Sequence, residues 1–579
     1  MAGCPEPQAI RAALTAPGAL FEICNEPVRR VTMPVFRHRL RSLSEMIEAT
    51  RRFGDRTYVV DGETRLSFAA HLAVVDALAR TLRERYLVTK GDRVAIFAAN
   101  RWEWVACFWA ITRIGAIACG MNGWWTADEF RQAVDLVEPV LLIADRPRLD
   151  RLAGRESGCP MLSMEEVAEL AGTVSPEPEP EPEPESLADE DEPALLLFTS
   201  GTTGRPKAVT IPHRSVAGFA QVSALQEAEA MAAIGLPVPA AGGTLPASDD
   251  VILVTAPLFH VSMLWAAIVL AATRGSAMVL LRGRFDPERA LAAIERERVT
   301  SWSALGSAAP RVAGCPALGR YDTSSVRYLG VGGAPVSPAV QRRLREAFPS
   351  ARSLGMGYTS TEGGAVIARI SGPEYAANPT ATGRITPTTQ VELRDELGRP
   401  VPEGEYGEVH SRSPYIMLGY WKDPGASAAV LKEDGWLAMG DIGRIEGGLL
   451  YLNARARDLI FVSAENVSPT EVEYVLEDSP DVSEAAVFAV DDNVTGDAVC
   501  AAVVPAPGAS PTAEQLARWC RRRLAHYKVP TRWHFASVPL PRTASGKVIK
   551  RAVREWADHG SGSAASPDDT SWPAMAGQE

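Results

Sequence analysis

Residues 198–210, FTSGTTGRPKAVT, combine small hydroxyl-bearing side chains, two glycines and a lysine. Side chains this small leave backbone N–H groups accessible to a ligand, and Lys207 adds a fixed positive charge. The stretch follows PALLL, a short apolar run typical of a buried strand. The pattern therefore predicts a strand that leads into a loop able to bind a polyphosphate.

Other phosphate and catalytic patterns do not fit. In a Walker loop the lysine follows the second glycine directly and a helix begins there, whereas here Lys207 comes three positions after Gly204 and Pro206 interrupts any helix. GMGYTSTEG fails as a dinucleotide fingerprint because Ser360 occupies the third glycine position. The sequence contains neither H-E-x-x-H nor G-x-S-x-G, so it supports neither a zinc protease nor an α/β-hydrolase.

FTSGTTGRPKAV closely resembles the phosphate loop of the adenylate-forming superfamily, which comprises acyl- and aryl-CoA synthetases, peptide-synthetase adenylation domains and firefly luciferase. The companion segments of that family follow in order: GGAP at 332–335, GYTSTEGG at 357–364, GYWKDP at 419–424, DGWLAMGDIGRI at 434–445, ARARDLIFVSAENVSPTEVE at 454–473 and LPRTASGKVIKR at 540–551. The resemblance covers roughly residues 40–555 and is strongest to bacterial fatty-acyl-CoA ligases.

The resemblance implies that a carboxylate attacks the α-phosphorus of ATP, giving an acyl-AMP and pyrophosphate. It assigns phosphate binding to Thr199, Ser200, Gly201, Thr202, Thr203, Gly204 and Lys207. It assigns catalytic positions to Lys547, Thr203, Glu362 and His260, with Lys547 reaching the charge that develops on the α-phosphate. Glu362 would also bind Mg²⁺, since this hard cation favours carboxylate and phosphate oxygens together.

The same resemblance implies an adenosine site. Its predicted members are Gly333, Ala334, Pro335, Tyr358, Thr361, Asp441 and Arg455. Tyr358 would offer a flat face to adenine, and Gly333 and Ala334 would let the base lie close. Asp441 would accept the ribose hydroxyls with help from Arg455.

The second half-reaction of this superfamily rotates a small C-terminal domain about a hinge, here Arg457 and Asp458, and admits a thiol to the acyl-AMP. Ser463 and Ala464 replace two glycines that line the thiol channel in many members, which narrows the channel. Coenzyme A is the predicted acceptor. Carrier-protein loading, nitrite activation for attack by an arylamine, luciferase-like oxidation and an inactive binding relative remain as alternatives.

The acid is predicted to be a fatty or aryl acid. Amino-acid-activating relatives usually carry an Asp where PLFHVS places His260, so a free α-amino acid is not expected. NGWWT and WSALGSAAPRV look like the corresponding stretches of fatty-acyl-CoA ligases. Trp124, Trp125 or Trp302 could stack on an aromatic acid, although core packing is the simpler interpretation.

Composition and charge argue against nucleic-acid binding and against a membrane span. The net charge of −12 is concentrated in the Pro-Glu stretch 175–193, without which 62 acidic residues face 59 basic ones, so no nucleic-acid footprint is present. The longest apolar stretches are interrupted by Arg113 and Arg274, and the N-terminus lacks a signal core, so no membrane span is expected and the protein is predicted to be cytoplasmic. The oligomeric state stays open.

Helical and strand-like patterns alternate through residues 66–145 and again after the acidic stretch, which predicts an α/β fold with largely parallel sheets. From about residue 389 short strands and turns indicate a β-rich module. The predicted organisation is a large N-terminal adenylation domain at 1–456 with a solvated acidic Pro-Glu loop at 175–193, a small mobile α+β domain at 457–558 and a disordered tail at 559–579.

Overall fold

The computed structural model describes residues 7–152, 158–174, 189–200, 206–333, 336–455, 458–462, 465–492, 496–543 and 546–560. Residues 175–188 of the acidic stretch and the tail from residue 561 lie outside these ranges. Within them the chain forms two large sheets, a small antiparallel sheet and a separate C-terminal α+β unit. The predicted fold class is confirmed.

Residues 7–174 begin the large domain. Their helices and strands are α1 Pro7–Thr15, β1 Ile23–Val28, β2 Val31–Phe36, α2 Leu43–Glu48, β3 Thr57–Asp61, β4 Thr64–Ser67, α3 Phe68–Glu84, β5 Arg93–Phe97, α4 Trp102–Arg113, β6 Ile117–Gly120, α5 Ala127–Val137, β7 Leu141–Ala144, α6 Arg146–Arg151, β8 Met161–Ser163 and α7 Met164–Thr173.

Residues 193–385 complete both large sheets. Their elements are β9 Pro193–Ser200, β10 Pro206–Pro212, α8 His213–Ala233, β11 Val251–Val254, α9 Val261–Met263, α10 Leu270–Arg274, β12 Ala277–Leu280, α11 Pro287–Glu297, β13 Ser301–Leu305, α12 Ala308–Ala313, β14 Tyr328–Gly332, α13 Pro338–Ala347, β15 Ser353–Tyr358, β16 Ala368–Ser371, α14 Gly372–Ala377 and β17 Arg384–Ile385. A π-helical stretch, Leu264–Val269, joins α9 to α10 and makes one continuous helical segment.

The β-rich module and the small domain follow. The module contains β18 Gln390–Arg394, β19 Gly407–Arg412, β20 Gly419–Tyr420, α15 Pro424–Val430, β21 Leu437–Glu446 and β22 Leu449–Arg455. The small domain contains β23 Ile460–Val462, β24 Glu465–Val467, α16 Pro469–Glu477, β25 Val482–Asp492, β26 Gly496–Pro505, α17 Ala513–Arg521, β27 Arg532–Phe535 and α18 Lys550–Gly560.

Both large sheets are parallel at their centres; the second is antiparallel at both edges, whereas the first is antiparallel at the β20 edge and parallel at the β8 edge. Their strand orders are β20-β10-β9-β6-β5-β7-β8 and β17-β16-β15-β14-β13-β11-β12-β3-β4. Strands β13, β14 and β15 are parallel neighbours, so their carboxyl ends meet at one edge of the second sheet. Ligands of open α/β sheets commonly bind at this edge.

Hydrophobic residues separate the layers. One cluster joins both sheets through α3, α4 and α8, and includes the fully buried Trp104, Phe108 and Trp265. A second cluster lies under the other face of the second sheet, where Trp302 and Leu329 pack against α11 and α13. Because both faces of the central strands are covered by other elements, the strands read as apolar runs in the sequence.

The end of the acidic stretch is packed, in contrast to the solvated loop expected there. The side chain of Glu190 is only 7% exposed, and its Oε1 lies 2.7 Å from Arg39 and 2.9 Å from Arg214. Asp191 binds Arg214 through both carboxylate oxygens. A buried carboxylate needs such partners, and two arginines on distant segments supply them.

The small domain is docked on the large one. Its helix α16 contacts both α13 and β22, and an ion pair of 2.7 Å joins Arg342 to Asp478 across the boundary. At the same boundary Ser468 donates a hydrogen bond to the carbonyl of Asn453. The turn that contains Gly546 then lies beside Ser307, which follows β13 at the carboxyl edge of the second sheet.

Candidate active site

A cavity of about 2380 Å³ lies between the domains and continues into the large one. The predicted site residues that line it are Thr199, Lys207, His260, Gly333, Tyr358, Thr361, Glu362, Asp441, Arg455 and Lys547. These residues come from segments up to hundreds of positions apart, and the fold brings them together. Several predicted residues lie outside the described ranges: Gly201, Thr202, Thr203, Gly204, Ala334, Pro335, Arg457, Ser463, Ala464 and the side chain of Ser200.

Asp441 is the centre of the predicted adenosine end. It sits on β21 directly opposite Arg455 on β22, and the Arg455 Nε lies 2.8 Å from its Oδ1. The hydroxyl of Tyr358 donates a 2.6 Å hydrogen bond to its Oδ2. Burial, followed by the neighbouring Asp441, raises the pKa of Tyr358 well above its ordinary value, so the phenol keeps its proton. A ribose hydroxyl would bind to a carboxylate that is already oriented on both sides.

Glu362 and Lys207 lie at the predicted phosphate end, with Tyr420 between them. Pairing of β10 with β20 sets Val209 opposite Tyr420, and the Lys207 Nζ lies 4.8 Å from the centre of the Tyr420 ring. The Tyr420 hydroxyl donates a 3.1 Å hydrogen bond to Glu362 Oε1. Burial, and then Glu362, raises the pKa of Tyr420, so this phenol is also a donor.

Tyr420 was missed as a site residue by sequence reasoning. The segment GYWKDP was part of the family pattern, but no role was assigned to its tyrosine. The signal that could have found it is the pairing of this segment with the strand that follows the phosphate loop, which sequence alone does not give. The structure shows a tyrosine that orients the predicted metal ligand and lies beside the predicted phosphate-binding lysine.

Lys547 reaches the cavity on a tight turn of the small domain. Thr543 N donates to the Lys547 carbonyl at 2.8 Å, and Lys547 N donates to Thr543 Oγ1 at 3.2 Å. Gly546 has φ +82°, and an added Cβ would stand 3.0 Å from Ser307 N on the large domain. A side chain at position 546 would push this turn away, so the close approach depends on glycine.

His260 faces the incoming lysine. Burial, with a further contribution from Lys547, lowers the pKa of this imidazole to about 4, so the ring is neutral at physiological pH. Its Nε2 is buried and has no hydrogen-bond partner among the described residues. The ring can therefore act as a neutral hydrogen-bonding group inside the cavity.

Beyond His260 the cavity runs along one face of the second sheet. Strands β13, β14 and β15 set Ser303 beside Gly330 and Gly330 beside Gly355, and Ser371 on β16 lies opposite Gly355. The intervening residues Trp302, Ala304, Leu329, Val331 and Leu354 point to the opposite face and are buried in the core. Strand alternation thus leaves a wall of small residues, and small residues leave room for a ligand.

The opposite side of this part of the cavity is helical and largely apolar. It is lined by Phe219 of α8, by Phe259, which precedes the helical stretch 261–274, and by Trp265 within that stretch. The rings of Phe219 and Trp265 lie 6.0 Å apart. Trp265 is fixed by a hydrogen bond from its Nε1 to the Gly364 carbonyl. This half of the pocket can cover a flat ring.

The three tryptophans considered as stacking groups have different surroundings. Trp302 is fully buried on the core face, where its Nε1 donates to Thr255 Oγ1 at 3.1 Å. Trp125 is buried edge-on against Phe198, and Trp124 is 41% exposed. Core packing therefore accounts for Trp302, while Trp125 borders the cavity.

The fold and the residues that line the cavity agree with the predicted arrangement, a nucleoside triphosphate site beside an acid pocket. The chain matches the family model of the AMP-binding enzyme over residues 47–421 and that of the AMP-binding enzyme C-terminal domain over residues 471–547. The chain belongs to the AMP-binding enzyme family, and the predicted membership of the adenylate-forming superfamily is confirmed.

Relatives whose names state an activity are similar over most of the chain. A feruloyl-CoA synthase of an Amycolatopsis species is 33% identical over 512 residues, which is 86% of this chain and 95% of the relative. An indoleacetate–CoA ligase of Aromatoleum aromaticum is 31% identical over 500 residues, covering 85% and 93% of the two chains. The solved structure of the amide bond synthetase McbA from Marinactinospora thermotolerans is 31% identical with a TM-score of 0.76, covering 89% and 99%.

Within the described part of the chain, no helix is both long and apolar enough to cross a bilayer.

Proposed function

We propose that the protein is an AMP-forming ligase that adenylates an aromatic carboxylic acid with ATP and passes the acyl group to coenzyme A. The observation that carries this proposal is the meeting of Lys547, from the docked small domain, with Lys207, Glu362 and the neutral His260 in one cavity. The CoA-ligase relatives named above act, by their names, on ferulate and indoleacetate, which supports an aromatic acid.

The first step joins two anions, and the site is arranged to permit this. A carboxylate oxygen forms a bond to the α-phosphorus, while the bond to the bridging oxygen breaks and pyrophosphate leaves with the electron pair. Lys207 would bind the departing phosphates, and Lys547 would stabilise the charge on the α-phosphate. The neutral His260 adds no competing charge and can orient the attacking carboxylate by a hydrogen bond.

Glu362 fits the role of a magnesium ligand. Its only side-chain hydrogen bond among the described residues comes from the neutral Tyr420 hydroxyl to Oε1, so the second carboxylate oxygen is left for a cation. Mg²⁺ held by Glu362 and the phosphates would supply charge neutralisation at the triphosphate. Lys207 likewise has no carboxylate partner within ion-pair distance in the ranges described, which suits a phosphate-binding lysine.

The second step would consume the acyl-AMP. The thiol sulfur of CoA forms a bond to the acyl carbon and gives up its proton, and AMP leaves with the electrons of the broken C–O bond. If an amine nitrogen attacks in place of sulfur, it forms a C–N bond and loses a proton, AMP leaves in the same way, and the product is an amide. The similarity to an amide bond synthetase, at 31% identity, makes amide formation the second candidate.

The test is a two-stage assay. Acid-dependent ATP–pyrophosphate exchange, measured over a panel of aryl and alkyl acids, reports the first step without any acceptor. The acyl-adenylate formed is then offered CoA, or an amine, and the product is identified by mass spectrometry. We expect exchange with an aryl acid and a thioester with CoA; an amide with no thioester would establish the second candidate, and absence of exchange with any acid would refute the adenylation itself.

A further inference from the structure

Arg369 lies on the wall of the acid pocket. It is on β16 directly opposite Gly357 of β15, and its neighbours Ala368 and Ile370 are buried in the core. Strand alternation therefore directs Arg369 to the same face as Gly357, the face that borders the cavity. Gly357 immediately precedes Tyr358, so Arg369 is close to the point where the nucleotide and acid parts of the cavity join.

The guanidinium of Arg369 has no neutralising partner among the residues that the structure describes. Its side chain makes no hydrogen bond or ion pair with them, although the residue is partly buried. The acid whose charge acts on Arg369, Glu229 of α8, is held by Arg11 of α1 through contacts of 2.5 and 3.3 Å. Burial lowers the pKa of Arg369 to about 10, with the charge of Glu229 opposing this decrease and that of Arg11 adding to it, and the guanidinium stays charged at neutral pH.

The rest of this wall is polar as well. Ser301, Ser303, Ser353 and Ser371 line the cavity, and the described residues offer their hydroxyls no hydrogen-bond partner. An alkyl chain laid along these hydroxyls and an unpaired guanidinium would leave all of them without acceptors. Such burial is costly, and an acid that brings its own acceptor oxygens avoids the cost.

We propose that the acid carries a second, anionic oxygen group remote from the carboxylate that is adenylated, and that Arg369 binds this group. A planar guanidinium presents two parallel N–H donors to a carboxylate, so the contact selects for geometry as well as charge. The Arg11–Glu229 pair keeps Glu229 from taking the place of the ligand. This inference rests on the proposed adenylation of an acid in this cavity.

The experiment compares acids that differ only at the remote position. Exchange is measured with cinnamate, 4-carboxycinnamate and 4-nitrocinnamate, and with heptanoate and its dicarboxylic counterpart pimelate. The nitro group has the shape of a carboxylate without its charge. We expect kcat/KM for the better dicarboxylic acid to exceed that of its monoacid by at least about 30-fold, and the nitro acid to resemble the monoacid, because a site built around a charged contact rejects analogues that lack it.

Substitution of Arg369 isolates the contact. Arg369→Met should remove the preference for the second carboxylate and leave kcat/KM for the monoacid within about threefold, since an unbranched apolar stem is kept while the charged guanidinium is lost. The matched control is Arg384→Met. Arg384 lies opposite Arg369 in the strand register, but its guanidinium is already held by Glu374 at 2.7 Å, so this variant should keep the preference.

Several outcomes would overturn the inference. One is a kcat/KM of the unmodified enzyme that is equal or higher for the monoacids than for the dicarboxylic acids. Another is an Arg369→Met variant whose kcat/KM falls by the same factor for both kinds of acid. Calorimetric titration of the dicarboxylic acids without ATP separates this inference from the proposed function. Binding that depends on Arg369 but gives no exchange would leave the contact standing and refute the adenylation, whereas no binding and no exchange would refute both.

Discussion

At the predicted nucleotide end of the cavity the lining side chains are charged or phenolic and contact one another. Asp441 is held by Tyr358 and Arg455, and Glu362 by Tyr420. At the acid end the wall is made largely of residues with little or no side chain, and Arg369 makes no ion pair in the described chain, whereas Arg384 opposite it is paired with Glu374. The first region is preorganised for a ligand whose chemistry is fixed. The second region takes its shape mainly from the small size of the side chains along its wall.

The largest expected effect is at the junction of the two regions. Lys547→Ala should lower acid-dependent exchange by about 10² to 10³, as when one preorganised charge is removed from a developing anion. Release of product from chemically supplied acyl-AMP should be nearly unaffected, because the small domain would by then have rotated. If both half-reactions fall together while the circular dichroism spectrum is unchanged, the rotation model is wrong.

The next effect sharpens the contrast at the acid end. An added Cβ at Gly357 would meet nothing closer than Val366 Cγ1 at 4.0 Å, and its φ is not left-handed. Gly357→Val should therefore fold normally while filling the pocket beside the reacting carboxylate. We expect kcat/KM for aryl acids to fall by about 10- to 100-fold, in line with the cost of overpacking a site by an isopropyl group.

The control for Gly357→Val is internal. A two- or three-carbon acid does not extend along the wall of small residues, so its kcat/KM in this variant should fall less than that of the aryl acids. Exchange rates with acetate, propionate and cinnamate, measured side by side, give the comparison. A uniform loss for all three acids would place Gly357 in the nucleotide site instead.

The same contrast explains what could be predicted from the sequence. Lys207, Glu362, Asp441 and Lys547 are predicted to serve steps common to a whole superfamily, so residue type and spacing mark them, and the structure places them in one cavity. The alternation of helix and strand patterns likewise predicted the parallel sheets.

The acid wall could not be found in this way. Ser303, Gly330 and Gly355 look like unremarkable strand residues, and their proximity appears only when β13, β14 and β15 are aligned in register. Arg369 is one arginine among many until the ion pairs of its neighbours are known. The packed Glu190 was missed for the same reason, since Arg39 and Arg214 reach it from distant segments.

The smallest expected effect concerns the pH dependence with which the small domain docks on the large one. Glu477 of α16 lies at the boundary between the domains, where burial raises its pKa from the ordinary 4.5 to about 7. The pKa is also raised by the neighbouring carboxylate of Glu473. It is lowered by a hydrogen bond with Ser337 and by the charges of Arg343 and Arg542, which only partly offset the effect of burial. The protonated form therefore favours the docked arrangement.

The sign of the pH dependence follows from this raised pKa. Docking has its full contribution from Glu477 below about pH 4.5 and loses it as the pH rises through about 7. Glu477→Gln mimics the protonated acid at every pH. The ratio of exchange rates, unmodified enzyme to Glu477→Gln, should thus decrease by about two- to threefold between pH 5.5 and 8. Glu471→Gln is the control, because Glu471 lies on the same helix but pairs with Lys528 inside the small domain, and its ratio should stay flat. A Glu477→Gln ratio that is equally flat would show that this carboxyl does not control the docking of the small domain.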